Sequence, residues 1–413
     1  MALTTATGVA MKMKVRIFSV AVAGLLLVHS TAPRARENSL QERLDLVIDS
    51  AITEKRIVGT VVLVARNGKV VYHRAAGLAD REAGKPMAED TIFNYSSVTK
   101  PIVTAAVMKL IEQGRISLDD QVTNWLPDFR PQLIDGGAPA ITVRQLLTHT
   151  SGLSYRFVEA PGSDYDRLNL TDGFDQPGVS REEFMRRLGA TRLRYPPGHG
   201  WKYSLSLDVL GLAVERATGE PLPQLVERLV TGPLGMRDTG FRIADRSRAS
   251  AYYVDHRPEP TRMVEGTIVP LQVGALRFAP ERLEDPKSYP SGGAGMAGTA
   301  GDLLKFLEAI RTGGNPILKP RTVAEMMRAQ VAAPIDDEPG DGFGFGWAVL
   351  VDPMAAKTPQ SPGTIHWGGV YGHVWFVDPA LKLSVVAFTN TTLEGVFGRF
   401  PSSVRDAVYA AEK

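Results

Sequence analysis

Cysteine is absent from all 413 residues. That one absence removes disulfides, thiolate metal sites, iron–sulfur clusters, a cysteine nucleophile and a lipid-modified N-terminal cysteine. An excess of charge of one sign is lacking too, with 47 basic against 45 acidic side chains. Three of the basic ones, Lys12, Lys14 and Arg16, stand near the N-terminus; without them 44 face 45. No basic stretch is interleaved with aromatics, so no nucleic-acid partner is expected. There is no G-x-S-x-G, the strand-to-helix serine turn of ordinary α/β-hydrolases. H-E-x-x-H and G-x-x-x-x-G-K are missing as well, and the seven histidines are scattered. Neither a metal nor a cofactor is implied.

The apolar run near the N-terminus, residues 17–28 (IFSVAVAGLLLV), is short of the roughly 20 residues a spanning helix needs. It follows a cationic stretch, residues 11–16 (MKMKVR), and precedes a polar, small-residue zone at 29–35. This is the layout of a secretory signal peptide. The expectation is a leader over residues 1–32 and a periplasmic or secreted protein with no stable membrane insertion after processing. An uncleaved anchor or a buried helix is the plainer alternative.

What is present beyond the leader exceeds the roughly 250–300 residues at which a single core stops growing, so two lobes are expected. Ser39 and Glu42 form a capping-box pattern ahead of Leu40, Leu44, Val47, Ile48 and Ala51 at helical spacing, predicting a helix over residues 40–55. Residues 60–66 (TVVLVAR) and 69–73 (KVVYH) flank Asn67-Gly68, a strong hairpin signal. Residues 373–377 and 382–389 predict a second hairpin, and a helix over about 402–411 closes the chain. Strands and helices at both ends predict an α+β fold: an antiparallel sheet flanked by helices, assembled from both ends of the chain, plus a helical lobe. The expected division is 39–113 with 201–413 for the sheet domain and 114–200 for the mainly helical lobe. Two long stretches, 154–179 and 255–292, lack clear periodicity; loops of such length are binding walls or lids, or else plain surface insertions.

The glycine run from Gly293 to Gly298 fits G-x-G-x-x-G, but it follows a proline-rich loop rather than a strand, which argues against a dinucleotide site. Close packing at a helix entrance explains it better, with Thr299 and Asp302 placed to cap the next helix. Ser97-Val98-Thr99-Lys100 is the chain's S-x-x-K. Pro101 cannot donate to the carbonyl of Ser97, which places Ser97 at the mouth of the helix that continues through residues 102–113. Free N–H groups and the positive end of the helix dipole favour negative charge there. Lys100 falls one turn on, on the same face. A lysine beside a serine hydroxyl accepts a proton if neutral, or holds a neighbouring base ionised if charged. A plain cap and a solvated charge are the bland alternative for the tetrad alone.

The chain resembles the serine β-lactamase and penicillin-recognising superfamily, in particular class C β-lactamases and the family VIII carboxylesterases built on the same fold. The resemblance rests on Ser97-Val98-Thr99-Lys100, residues 141–153 (ITVRQLLTHTSGL), Pro197-Gly198 with Trp201-Lys202-Tyr203-Ser204, residues 293–306, residues 342–347 (GFGFGW) and His366-Trp367-Gly368-Gly369. It spans about residues 40–410 with order and spacing kept, and implies a β-lactamase/transpeptidase-like fold. It further implies that Ser97 is the acylated nucleophile and that Tyr203 is its general base, with a phenol lowered by Lys100. Backbone amides of Ser97 and Gly369 would form the oxyanion hole, with Gly368, Trp367 and His366 alongside. His149 reads as a structural histidine in a tight turn; Trp201 and Trp367 read equally as core or pocket wall.

Two departures from the β-lactamase pattern bear on substrate. Leu205 stands where the second motif has asparagine, and His366-Trp367 stand where the third has lysine and a small residue. Both favour an apolar site without a full cation, and the W-G-G element resembles the esterase branch. The leading expectation is a secreted serine hydrolase of carboxylic esters, acting through an acyl-enzyme on a small-molecule ester. A β-lactam or D-amino-acid peptide amidohydrolase, an acyltransferase on the same site, and a non-catalytic binding module are the alternatives.

Overall fold

The computed structural model describes residues 39–332, 334–335 and 338–410; the expected leader lies outside them. Helix α1 (Leu40–Thr53) opens with the capping box, Glu42 N donating to Ser39 Oγ and Ser39 N to the Glu42 carboxylate. Strands β1 (Gly59–Arg66) and β2 (Lys69–Asp80) meet at Asn67-Gly68. Both turn residues have positive φ, 52° and 79°, as the tight hairpin turn requires. A short β3 (Lys85–Pro86) follows β2.

Five further strands come from the other end of the chain: β6 (Asp341–Phe343), β7 (Ala348–Leu350), β8 (Ile365–Gly369), β9 (His373–Asp378) and β10 (Leu383–Thr389). The sheet runs β6-β7-β8-β9-β10-β1-β2-β3, antiparallel throughout. Its central seam joins the two chain ends, with Thr60 opposite Thr389 and Arg66 opposite Leu383.

Strand β1 is buried on both faces because alternate side chains enter different cores. Val61 and Leu63 join the larger core, against α2 (Thr99–Glu112), α3 (Ser206–Thr218) and α4 (Ala300–Arg311). Val62 and Val64 join a second core on the outer face, under α1 and the terminal helix α5 (Arg399–Tyr409). Residues 114–200 carry short helices, Val143–Leu147, Asp164–Arg167 and Arg181–Gly189, joined by irregular backbone. Within 255–292, β4 (Thr267–Pro270) and β5 (Ala275–Phe278) form a separate hairpin. Among the described residues no helix is long and apolar enough to cross a membrane.

Candidate active site

Ser97 is held by what precedes it. Phe93 and Asn94 pair with Gly298 and Ala297, and the Tyr95 hydroxyl donates to the Thr299 carbonyl at 2.6 Å. Ser96 then takes a φ of 48° while fully buried. A non-glycine residue in that region stores on the order of 1–3 kcal/mol of strain. A single 3₁₀ turn over Ser96–Val98 leads into α2, so Ser97 stands at the helix mouth and Lys100 one turn inside it.

Lys100 has no exposed surface. Its Nζ donates to the Gly293 carbonyl at 2.8 Å and to Ser97 Oγ at 3.1 Å, and lies 4.6 Å above the Tyr203 ring. Burial brings this ammonium down to about 7, against the opposing pull of the Asp208 carboxylate. Tyr203 Oη donates to Ser97 Oγ at 2.6 Å, and the Trp367 indole donates to Tyr203 Oη at 3.4 Å. The expected lowering of this phenol by Lys100 is not found. Burial pushes Tyr203 up, and its hydrogen bonds with Ser97 and Trp367 offset only part of that. Burial suppresses the lysine's own charge, so Lys100 cannot act as the full cation that the expectation needed.

Asp208 was not singled out from sequence. It lies on α3, buried, accepting from Ser291 Oγ at 2.5 Å and Tyr289 Oη at 3.2 Å, with its carboxyl raised by burial. An acidic residue inside the apolar stretch of α3 was the available signal. His149 sits in a left-handed turn (φ 56°), buried, with Nδ1 3.1 Å from Ser204 Oγ and its ring against Tyr203 and Trp201. It supports the tyrosine from behind.

Strand β8 brings up the third motif. A Cβ on Gly369 would lie 2.3 Å from the Tyr95 carbonyl, so only glycine lets this strand approach the segment carrying Ser97. Gly368 and Gly369 line the same cavity as Ser97, Tyr203, Trp201 and Trp367. His366 lines this cavity too, at its rim, with Nε2 3.1 Å from Asp341 Oδ2 rather than on Tyr203. The donor that reaches Tyr203 is therefore Trp367. Leu205 does not line the cavity: it is fully buried in the main core, so the apolar character expected from it is supplied by other residues. Phe157 and Phe174 from the first long loop and Leu271 and Leu276 from the β4–β5 hairpin form a wall of a cavity of about 720 Å³. Both irregular stretches thus line the cavity. Among the described residues no group of three or more His, Asp or Glu is placed to hold a metal ion.

A serine between a buried lysine and a tyrosine, at a helix mouth beside an antiparallel sheet, defines the serine β-lactamase-like hydrolases. The chain belongs to the Beta-lactamase family, whose pattern it matches over residues 41–406. It is 54% identical over 377 residues to Esterase EstB of Burkholderia gladioli, covering 90% of this chain and 96% of that protein. The solved structure of EstCE1, described as a hydrolase with promiscuous acyltransferase activity, superposes with a TM-score of 0.87 at 47% identity, covering 90% of this chain and 98% of the other. A class C β-lactamase shares the fold at 18% identity, with a TM-score of 0.68 over 92% of this chain and 99% of the other.

Proposed function

We propose that this protein is a serine carboxylesterase that works through an acyl-enzyme on Ser97. The observation that carries the proposal is the Ser97 hydroxyl, held 3.1 Å from a buried Lys100 Nζ and 2.6 Å from Tyr203 Oη at the end of an apolar cavity. The similar proteins named as esterase and hydrolase point the same way.

With Lys100 near 7, a large fraction of the amine is neutral at physiological pH. Ser97 Oγ attacks the ester carbonyl carbon and its proton passes to the Lys100 Nζ lone pair. Lys100, now charged, is balanced by Asp208 and the Gly293 carbonyl. Backbone amides of Ser97 and Gly369 hold the oxyanion. The tetrahedral adduct collapses and the C–O bond to the alcohol breaks. The departing alkoxide takes the proton back from Lys100, relayed through the Tyr203 hydroxyl. Water then attacks the acyl carbon, giving its proton to the same pair, and frees the acid and Ser97.

The third motif carries His366, 3.1 Å from Asp341, in place of lysine, which supports neutral esters over β-lactam carboxylates. The description of EstCE1 supports a second outcome at the same intermediate, transfer of the acyl group to an alcohol in place of water. The proposal also places the mature enzyme outside the cytoplasm once the leader at 1–32 is removed; N-terminal sequencing of the exported protein tests this. The central test compares p-nitrophenyl butyrate with a chromogenic cephalosporin, using wild type and Ser97→Ala. Faster ester turnover, lost in Ser97→Ala with an acyl adduct detectable by mass on Ser97 in the wild type, is expected. Full ester turnover by Ser97→Ala, or faster cephalosporin cleavage, overturns the proposal.

A further inference from the structure

Strand β7 pairs only with Ile365 and His366 of β8, whereas β9 pairs with all five of its residues. Along Trp367–Gly369 the strand therefore runs past the end of β7. Side chains alternate along it: Trp367 packs on Tyr203 with ring centroids 5.2 Å apart, so position 368 faces the outer side of the sheet. Its neighbours across the ladder on that face are Val374 and then Ala387. Helices α1 and α5 seal this face over β1 and β10, where Val62, Val385 and Ala387 are buried. Toward β8 the cover ends, and His366, Gly368 and Val374 are only half-buried.

The cavity that holds Ser97 continues onto this face. It is bounded there by Val374, Phe376 and Ala387 from the sheet, and by Val396, Pro401 and Val404 from α5 and the loop before it. Gly368 lines the cavity between its two parts, and a Cβ there would lie 3.5 Å from Val396 Cγ1 and clash with the His373 carbonyl at 2.6 Å. Phe397, 76% exposed, stands at the rim. Lys202 and Glu338 line the cavity as well, while on the outer face the polar side chains His366, 3.1 Å from Asp341, and Arg405, 2.8 Å from Asp406, stand among mainly apolar ones. An uncharged hydrocarbon chain matches that lining. A volume of about 720 Å³ suits a ligand far larger than a short ester.

Resting on the esterase proposal above, we infer that this outer arm, crossing β8 at Gly368, takes a long hydrocarbon chain of the ester, while the Phe157–Phe174 side takes the other substituent. Each methylene buried there raises kcat/KM by roughly fourfold until the arm is full. Two ester series test it: p-nitrophenyl esters from acetate to decanoate, and n-alkyl butyrates from ethyl to decyl. In the wild type, kcat/KM is expected to climb with chain length in one series, which identifies the arm as an acyl or an alcohol site. Filling the arm with Val396→Trp, on the loop, or Val374→Phe, on β9, is expected to cut the long-to-short ratio in that series by about tenfold or more. A wild-type profile flat or falling in both series overturns the inference, as does an unchanged ratio in a variant that melts like the wild type. Ester turnover that survives Ser97→Ala would instead overturn the catalytic proposal.

Discussion

Lys100 is the residue on which pH acts. In the proposed mechanism it accepts a proton only when neutral, and burial brings it down to about 7. The rate constant kcat/KM for a short ester is therefore expected to rise with pH through about 7 and then level off; a pH–rate profile checks this. Lys100→Arg keeps a cation but cannot give up its proton in this range, so turnover should fall at least about 10²-fold at every pH. Asp208 stabilises the charged form of Lys100. Asp208→Asn should let Lys100 drop further and move the acid limb of the profile to lower pH. The same shift has a stability consequence. Between about 7 and the ordinary lysine value of 10.5, the unfolded chain holds a proton that the native one lacks, so the contribution of Lys100 to stability rises with pH across that window. Tyr203→Phe removes the hydroxyl that bonds Ser97 and that, on the proposed mechanism, relays the proton, with an expected loss of about 10²–10⁴-fold in turnover. Of these residues, Ser97, Lys100 and Tyr203 were legible in the sequence because the resemblance to the β-lactamase family marks their motifs; the S-x-x-K tetrad alone was a weak signal. Asp208 was not, since nothing in its own neighbourhood says which buried cation it faces. The direction of the Tyr203 shift was illegible for a related reason: desolvation depends on surroundings that come from distant segments.

At the scale of elements, the glycine run before α4 shows what local pattern conveys. A Cβ on Gly293 would meet Asp208 Oδ2 at 2.4 Å, one on Gly295 the backbone of Ser291 at 2.7 Å, and one on Gly298 Thr239 Oγ1 at 2.4 Å and Tyr95 Oη at 2.5 Å. None of the three has positive φ. Space, not backbone conformation, requires them, and Thr299 caps α4 by accepting from Asp302 N as its position suggested. Gly298→Ala is expected to destabilise by roughly 1–3 kcal/mol through overpacking against Tyr95, the residue that anchors the approach to Ser97. Thermal or urea unfolding measures it, and activity should fall with it. The capping box of α1 and the Asn67-Gly68 hairpin were equally readable, since both are satisfied by residues within three positions. The β4–β5 hairpin was not: Thr267–Pro270 and Ala275–Phe278 carry a proline and no strong turn pair, and their pairing is supported by packing against the loop at Phe157.

For the whole molecule, the joint between chain ends is decisive. Beside the β1–β10 seam, Arg56 meets Glu394 at 2.5 Å with both side chains under a tenth exposed. Glu394 also accepts from the Phe400 amide at the start of α5. Arg56→Met leaves that carboxylate buried without its cation and should cost about 3–5 kcal/mol, read from denaturant unfolding. The amphipathic periodicity of α1 and the continuous apolar run of β1 follow from short-range chemistry, so the sequence by itself determined those elements, while the S-x-x-K tetrad marked Ser97 as the candidate nucleophile only together with the family resemblance. The contact of Tyr203 with Ser97, 106 positions away, the lowering of Lys100 by burial, and the apolar arm beyond Gly368 belong to the tertiary structure alone. Each depends on which surfaces are excluded from water when remote segments meet, and burial of that kind has no signature along the chain.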